Sequence, residues 1–278
     1  MSPKYAYRSF IFIMAVLLIG RQVYSLVCLA LPFMADTIPV LLSSQLMVIL
    51  PVVACACLTP ASFREMFPVR RIRVSSLLLT ILATVLIYPA VMVINLITLL
   101  VTTNRAVEIG AVAMELPVWQ SVLLIGIIGP AFEELTFRGY LYQNLSAKGR
   151  TVAACFISAL FFGIAHGNLN QACYAFFFGV FLAFLARATG SVTAGFFSHA
   201  LFNSLEVLFM YSIDRTALTQ TQQGLSLIDI LQAQGVSGTM WVSLILALIV
   251  FAGFAALLSA LAFFLITRIR KIESAAAS

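Results

Sequence analysis

Apolar residues run along this chain in long blocks rather than alternating with polar ones. The blocks predict eight membrane-crossing helices: Phe10 to Leu31, Val40 to Leu58, Val74 to Val101, Val118 to Leu145, Thr151 to Ala165, Gln171 to Ala188, Val192 to Tyr211 and Met240 to Thr267. A helix crosses the hydrocarbon core with roughly 20 residues at about 1.5 Å each. The fifth block is short, and it can extend through His166 into the following turn. Lys4 and Arg8 precede the first block as they would in a signal peptide, but the block is long and Arg21 interrupts it, so it reads as a retained span. The longest polar interval is Ser212 to Gly238, with Leu225, Leu227, Ile228, Ile230 and Leu231 clustered inside it. It reads as an extracytoplasmic loop, with or without a short interfacial helix. The fold class is therefore all-α, a polytopic transmembrane bundle of about eight spans, and no internal repeat suggests paired transporter halves.

Composition agrees with this. The 278 residues are 62% hydrophobic and only 9% charged, and the mean hydropathy is +1.08. A soluble domain needs roughly 25% charged residues to cover its surface, so lipid must replace most of that water. The net charge of +6 would suggest nucleic acid in a soluble protein; here its distribution carries the information, and no nucleic-acid partner is expected. With the N-terminus in the cytoplasm, twelve of the sixteen Lys and Arg collect on that side: Lys4, Arg8, Arg64, Arg70, Arg71, Arg73, Lys148, Arg150, Arg187, Arg268, Arg270 and Lys271. The other side receives Arg105 and Arg215 among Asp36, Glu108, Glu115, Asp214 and Asp229. This is the positive-inside pattern of an even span count with both termini cytoplasmic. The five cysteines, Cys28, Cys55, Cys57, Cys155 and Cys173, lie in apolar blocks and read as small buried hydrophobes; Cys55 and Cys57 point to different helix faces.

Ionisable groups inside spans are costly, so they mark chemistry. Five qualify: Arg21, Glu133, Glu134, Arg138 and Glu206. Glu134 and Arg138 lie one turn apart on one face, acid first, the favourable order for an ion pair. Glu133 is rotated by about 100° and cannot share all of that pairing, which leaves it the freer carboxylate. Just upstream, Pro130 supplies no amide hydrogen and crowds the carbonyl of Gly126, which predicts a bend that admits water beside Glu133. The two histidines, His166 and His199, fall in or at the end of spans, with Asn203 one turn beyond His199. Counted at 1.5 Å per residue from the cytoplasmic side, Glu133 and His166 lie at about 22 Å, Asn203 at about 20 Å and His199 at about 14 Å, so the four can converge.

Three short strings in order make the pattern specific: Glu133, Glu134 and Arg138 in EELTFRGYL, Phe162 and His166 in FGIAH, and His199 and Asn203 in HALFN. In these motifs, their order and their separation the chain resembles the CAAX-protease and bacteriocin-processing (Abi) family of intramembrane proteases, over roughly Pro117 to Tyr211. The resemblance implies a helical core that cleaves peptide bonds near or within the bilayer. On it, residues 1–116 are N-terminal transmembrane helices, 117–211 the catalytic core, and 212–278 an extracytoplasmic loop with a C-terminal helix. Glu133 would activate water, His166, His199 and Asn203 would complete the active centre, and Glu134 and Arg138 would support its geometry.

Peptide hydrolysis needs an activated water, a proton donor for the leaving amine and stabilisation of an oxyanion, and this set supplies each without a cofactor. A zinc or other divalent version, with His166, His199 and Glu133 as ligands, stays open, although no HExxH pair sits on one helix. The expected partners are the bilayer and a membrane-associated peptide or protein, and the expected location is the inner or plasma membrane of a bacterium. Intramembrane Glu, Arg and His also serve proton- or ion-coupled transporters, and a noncatalytic immunity or scaffold protein would share the fold.

Overall fold

The computed structural model of the chain describes residues 3–58, 62–102, 113–147, 149–212, 227–236 and 238–277. The side chains of Lys4, Arg8 and Arg21, and the whole of Arg105, Glu108, Lys148, Asp214, Arg215 and Leu225, lie outside the described residues. The principal helices are α1 (Pro3–Ala30), α2 (Thr37–Cys57), α3 (Val74–Leu99), α4 (Val118–Ser146), α5 (Thr151–Ala165), α6 (Leu169–Thr189), α7 (Val192–Ser212), α8 (Leu227–Ala233) and α9 (Thr239–Ala277). No strand occurs among the described residues. Seven of these helices are long and apolar enough to cross a membrane, and the chain is an integral multi-pass membrane protein. The eighth expected span, α5, has 15 residues, about 22 Å of helix, and is short for a hydrocarbon core of about 30 Å.

α6 is the hub. Over half of it (56%) is buried inside the protein, against 19% for α1 and 11% for α9, so α6 sits centrally and those two face outward. Phe178, Phe181, Leu182 and Leu185 of α6 pack with Ala83, Ile87 and Val91 of α3, Phe202 of α7, and Ala262 and Ile266 of α9. A second core joins Leu17 of α1, Val52 and Cys55 of α2, Phe137 and Leu141 of α4, and Phe162 of α5. The site lies where these two cores meet, at α4, α5, α6 and α7.

Basic segments gather at one end of the bundle. The Arg73 backbone N–H donates to Glu273 Oε1 at 3.0 Å; the Arg70 carbonyl accepts from Ser191 Oγ at 3.0 Å, and Arg187 Nε donates to Thr151 Oγ1 at 3.2 Å. Arg70 to Arg73, Arg150, Arg187 and the last turns of α9 are thus neighbours. α9 runs on for 39 residues, beyond the expected limit at Thr267, because its last turns carry Arg268, Arg270, Lys271 and Glu273 and need no hydrocarbon. At the opposite end, Tyr211 Oη donates to the carbonyls of Ala113 and Leu116 at 2.8 and 2.7 Å. That contact fastens the end of α7 to the entry of α4 and makes the two helices antiparallel. None of the five cysteines forms a disulfide; Cys55 is buried and Cys57 exposed.

Candidate active site

α4 is not an ordinary bent helix. Val122–Ile128 and Leu135–Leu141 are wound as π-helix, and the α-helical turns Gly129–Glu134 between them carry both glutamates. In the π register the Gly129 N–H donates to Leu124, five residues back. The carbonyl that Pro130 fails to serve is therefore Ile125, not Gly126 as α-helical geometry predicts. Asn203 Nδ2 of α7 donates to that Ile125 carbonyl at 3.3 Å.

Glu134 and Arg138 form a buried pair. Arg138 Nη1 donates to Glu134 Oε1 at 2.7 Å, with the side chains 0% and 1% exposed. The guanidinium also donates from Nη2 to the Gly179 carbonyl at 3.1 Å and lies 4.3 Å over the Phe162 ring. An ion pair, a carbonyl and an aromatic face thereby offset part of the desolvation of the charges, while Glu134 Oε2 and Arg138 Nε stay buried without a hydrogen bond.

His199 stands between the two glutamates. Its Nδ1 is 3.0 Å from Glu134 Oε1, and its Nε2 is 3.6 Å from Glu133 Oε2. A carboxylate oxygen only accepts, so the Nδ1 contact places a proton on that nitrogen and, in the neutral ring, a lone pair on Nε2 facing Glu133. Phe162 and Phe178 meet the imidazole edge-on, with ring centroids at 5.5 and 5.6 Å, and fix its plane. Glu133 differs from its neighbour in access, its side chain 19% exposed.

His166 ends α5. Its Nδ1 donates to the Phe162 carbonyl at 2.8 Å, and its ring meets Phe162 edge-on at 5.0 Å, so both imidazoles touch one phenyl ring. Of the two remaining ionisable residues inside spans, Glu206 accepts a hydrogen bond from Tyr88 of α3, outside this network, and the Arg21 side chain lies outside the described residues.

Residues that the sequence reading did not single out complete the site. A methyl group on Gly195 would lie 2.5 Å from Glu134 Oε2, and one on Gly179 would lie 3.1 Å from Arg138 Nη2 and 3.0 Å from the Phe162 ring. These glycines are the seats that let α6 and α7 close on the ion pair. Gly195 lies one turn before His199 on the same face of α7, a spacing that could have marked it. Phe178, by contrast, is one of many phenylalanines in α6 and carries no signal of its own.

A hydrolytic metal site takes three protein ligands and keeps a position for water. Nδ1 of each histidine is engaged, by Phe162 and by Glu134, which leaves Nε2 as the nitrogen a metal could take. Among the described residues no group of three or more His, Cys, Asp or Glu is disposed to hold a metal ion. Three such ligands are not brought together among the described residues, and no step is routed through a metal.

Residues 115–205 match the family model described as Type II CAAX prenyl endopeptidase Rce1-like. A curated relative, "Putative membrane peptidase YdiL" of Bacillus subtilis (strain 168), is 29% identical over 107 residues, which are 38% of this chain and 44% of the relative. The chain thus aligns with less than half of that relative's length. No solved structure matches. The matched segment carries all three motifs and the polar network around His199, and in it the chain is similar to the CAAX-protease family.

Proposed function

We propose that the protein is an intramembrane endopeptidase that hydrolyses a peptide bond of a membrane-associated protein or peptide with a glutamate-activated water and no metal. The observation that supports this reading is the His199 imidazole held between two adjacent glutamates, one buried in an ion pair and one open to a substrate.

The 3.6 Å between Glu133 Oε2 and His199 Nε2 is too long for a direct hydrogen bond and suits one water touching both at about 2.8 Å. Such a water gives one hydrogen to each acceptor, which leaves a lone pair for the scissile carbonyl carbon. Glu133 takes one proton as the C–O bond forms and returns it to the amide nitrogen as the C–N bond breaks; the water's second hydrogen stays on the new carboxyl oxygen and then passes to the amine, releasing a carboxylate and an ammonium group. The oxyanion is stabilised by the second amide hydrogen of Asn203 and by His166, which in its charged form donates from Nε2 while Nδ1 stays on Phe162. Glu134 keeps His199 in the required tautomer, and Arg138 holds Glu134.

Following the basic segments, we place both termini and the Arg70, Arg150 and Arg187 end in the cytoplasm. The test is peptide profiling of membranes that contain the native protein or Glu133→Gln. Glutamine keeps the shape and removes the base, so a cleavage product present with the native protein and absent with the folded variant is expected. Equal products from both would reject Glu133 as the base.

A further inference from the structure

The polar network above leaves one residue of the glutamate helix without a chemical task, and its geometry gives it one. Ile125, Pro130 and Asn203 form a set in which each explains the next. Through Val122–Ile128 the backbone bonds run five residues back, ending with the Gly129 N–H on the Leu124 carbonyl. The next acceptor in that ladder, Ile125, requires a donor at residue 130. Residue 130 is proline and has no N–H. An unserved carbonyl inside a membrane helix is costly, and Asn203 Nδ2 reaches it at 3.3 Å.

A carboxamide carries two N–H donors on one rigid plane. With one hydrogen on Ile125, rotation of the Asn203 amide is arrested and the other hydrogen has a set direction. Side chains on a helix tilt toward its N-terminus, so the Glu133 carboxylate lies over the turn of Gly129 and Pro130. The Ile125 carbonyl, directed toward the C-terminal end of α4, emerges near the same level. Two contacts keep α7 at this distance. A methyl group on Gly126 would meet Ser204 Oγ at 2.5 Å, and one on Gly195 would meet Glu134 Oε2 at 2.5 Å; these close approaches bracket His199 and Asn203.

We infer that Pro130 is a positioning residue for catalysis: by removing one backbone donor it reserves the Ile125 carbonyl for Asn203 and so aims the free amide hydrogen of Asn203 at the scissile carbonyl oxygen. This rests on the hydrolytic reading of the site. It assigns the proline a task distinct from bending the helix, since any residue with an N–H at 130 would compete for Ile125 and release the amide.

The experiment uses the full chain in lipid nanodiscs. Asparagine is labelled with 15N, and the Asn203 side-chain signal is identified by its loss in Asn203→Ala. The native protein should show one Asn203 amide proton shifted downfield and protected from exchange. Pro130→Ala and Pro130→Gly should both lose that signature, whereas lactic acid at position 130, which has the alanine side chain on an ester linkage without N–H, should keep it. An unchanged Asn203 signal in Pro130→Ala and Pro130→Gly overturns the inference whatever the protein hydrolyses.

Turnover is read on the peptide whose cleavage depends on Glu133. Pro130→Ala should lower kcat by about 100-fold, the scale of losing one oxyanion donor, with KM within twofold. It should have no further effect in an Asn203→Ala background, and the ester variant should restore kcat. Independent, multiplying losses from the two substitutions, or native kcat in Pro130→Ala beside an inactive Glu133→Gln, would refute the role of Pro130 and leave the protease reading intact. Native turnover in Glu133→Gln would instead strike the protease reading.

Discussion

His199 Nδ1 and Glu134 Oε1 meet at 3.0 Å, and the same oxygen receives Arg138 Nη1 at 2.7 Å. One buried carboxylate oxygen therefore decides both the tautomer of the histidine and the position of the guanidinium. Removing the arginine would leave Glu134 buried, charged and without its counterion. Arg138→Ala is expected to lower stability by about 3 to 5 kcal/mol, read as an earlier loss of the folded band in a detergent thermal-shift series, and to impair turnover. Native stability with native turnover would remove Arg138 from the support of the site.

Gly195→Ala tests the same oxygen from the other side. Its methyl group would sit 2.5 Å from Glu134 Oε2, inside the contact distance, so the carboxylate or α7 must shift. A cost of about 1 to 3 kcal/mol is expected from overpacking, together with a loss of turnover as His199 follows Glu134. Gly253→Ala on α9, with nothing within 4 Å of the added methyl group, is the matched control. It should be neutral or stabilising by up to about 1 kcal/mol, the helix preference for alanine.

The hydrogen bond from Tyr88 to Glu206 joins α3 to α7 outside the Glu134, Arg138 and His199 network. Tyr88→Phe removes it while keeping the ring that packs 5.1 Å from Phe202. Stability should fall by about 1 kcal/mol, with turnover within twofold of native. A tenfold loss of turnover at unchanged stability would bring this pair into the reaction.

Topology is open to a labelling test. Arg150 and Gln232 are both exposed, the first at the basic end of the bundle and the second on the far side of α7. In a functional cysteine-free background, Arg150→Cys should react only from the cytoplasmic face and Gln232→Cys only from the opposite one. Labelling of both from one face would overturn the orientation.

Metal removal separates the two hydrolytic chemistries. In the proposed mechanism Glu133 alone activates the water, so prolonged dialysis against EDTA or 1,10-phenanthroline should leave turnover unchanged. Turnover that falls on chelation and returns with zinc would replace the glutamate and water mechanism by a metal-assisted one.

The sequence alone determined what local helix geometry and hydropathy can encode. Blocks of apolar residues set the helices, because lipid compels every spanning segment to satisfy its own backbone. The spacing of Glu134 and Arg138 set their pairing, because residues four apart share a face whatever else the chain does. The exit of Glu133 from that pair follows from the same rotation. What only the tertiary structure decided depends on how one helix is turned against another. The choice of Glu134 as the anchor of His199, the closure of α6 and α7 on Gly179 and Gly195, and the meeting of Asn203 with Ile125 each join residues at least 41 positions apart. The π winding of α4 belongs here too. A proline marks the missing donor in either register, but which carbonyl it orphans depends on the winding, and α7 packed alongside supplies the amide that makes the π form tolerable in lipid.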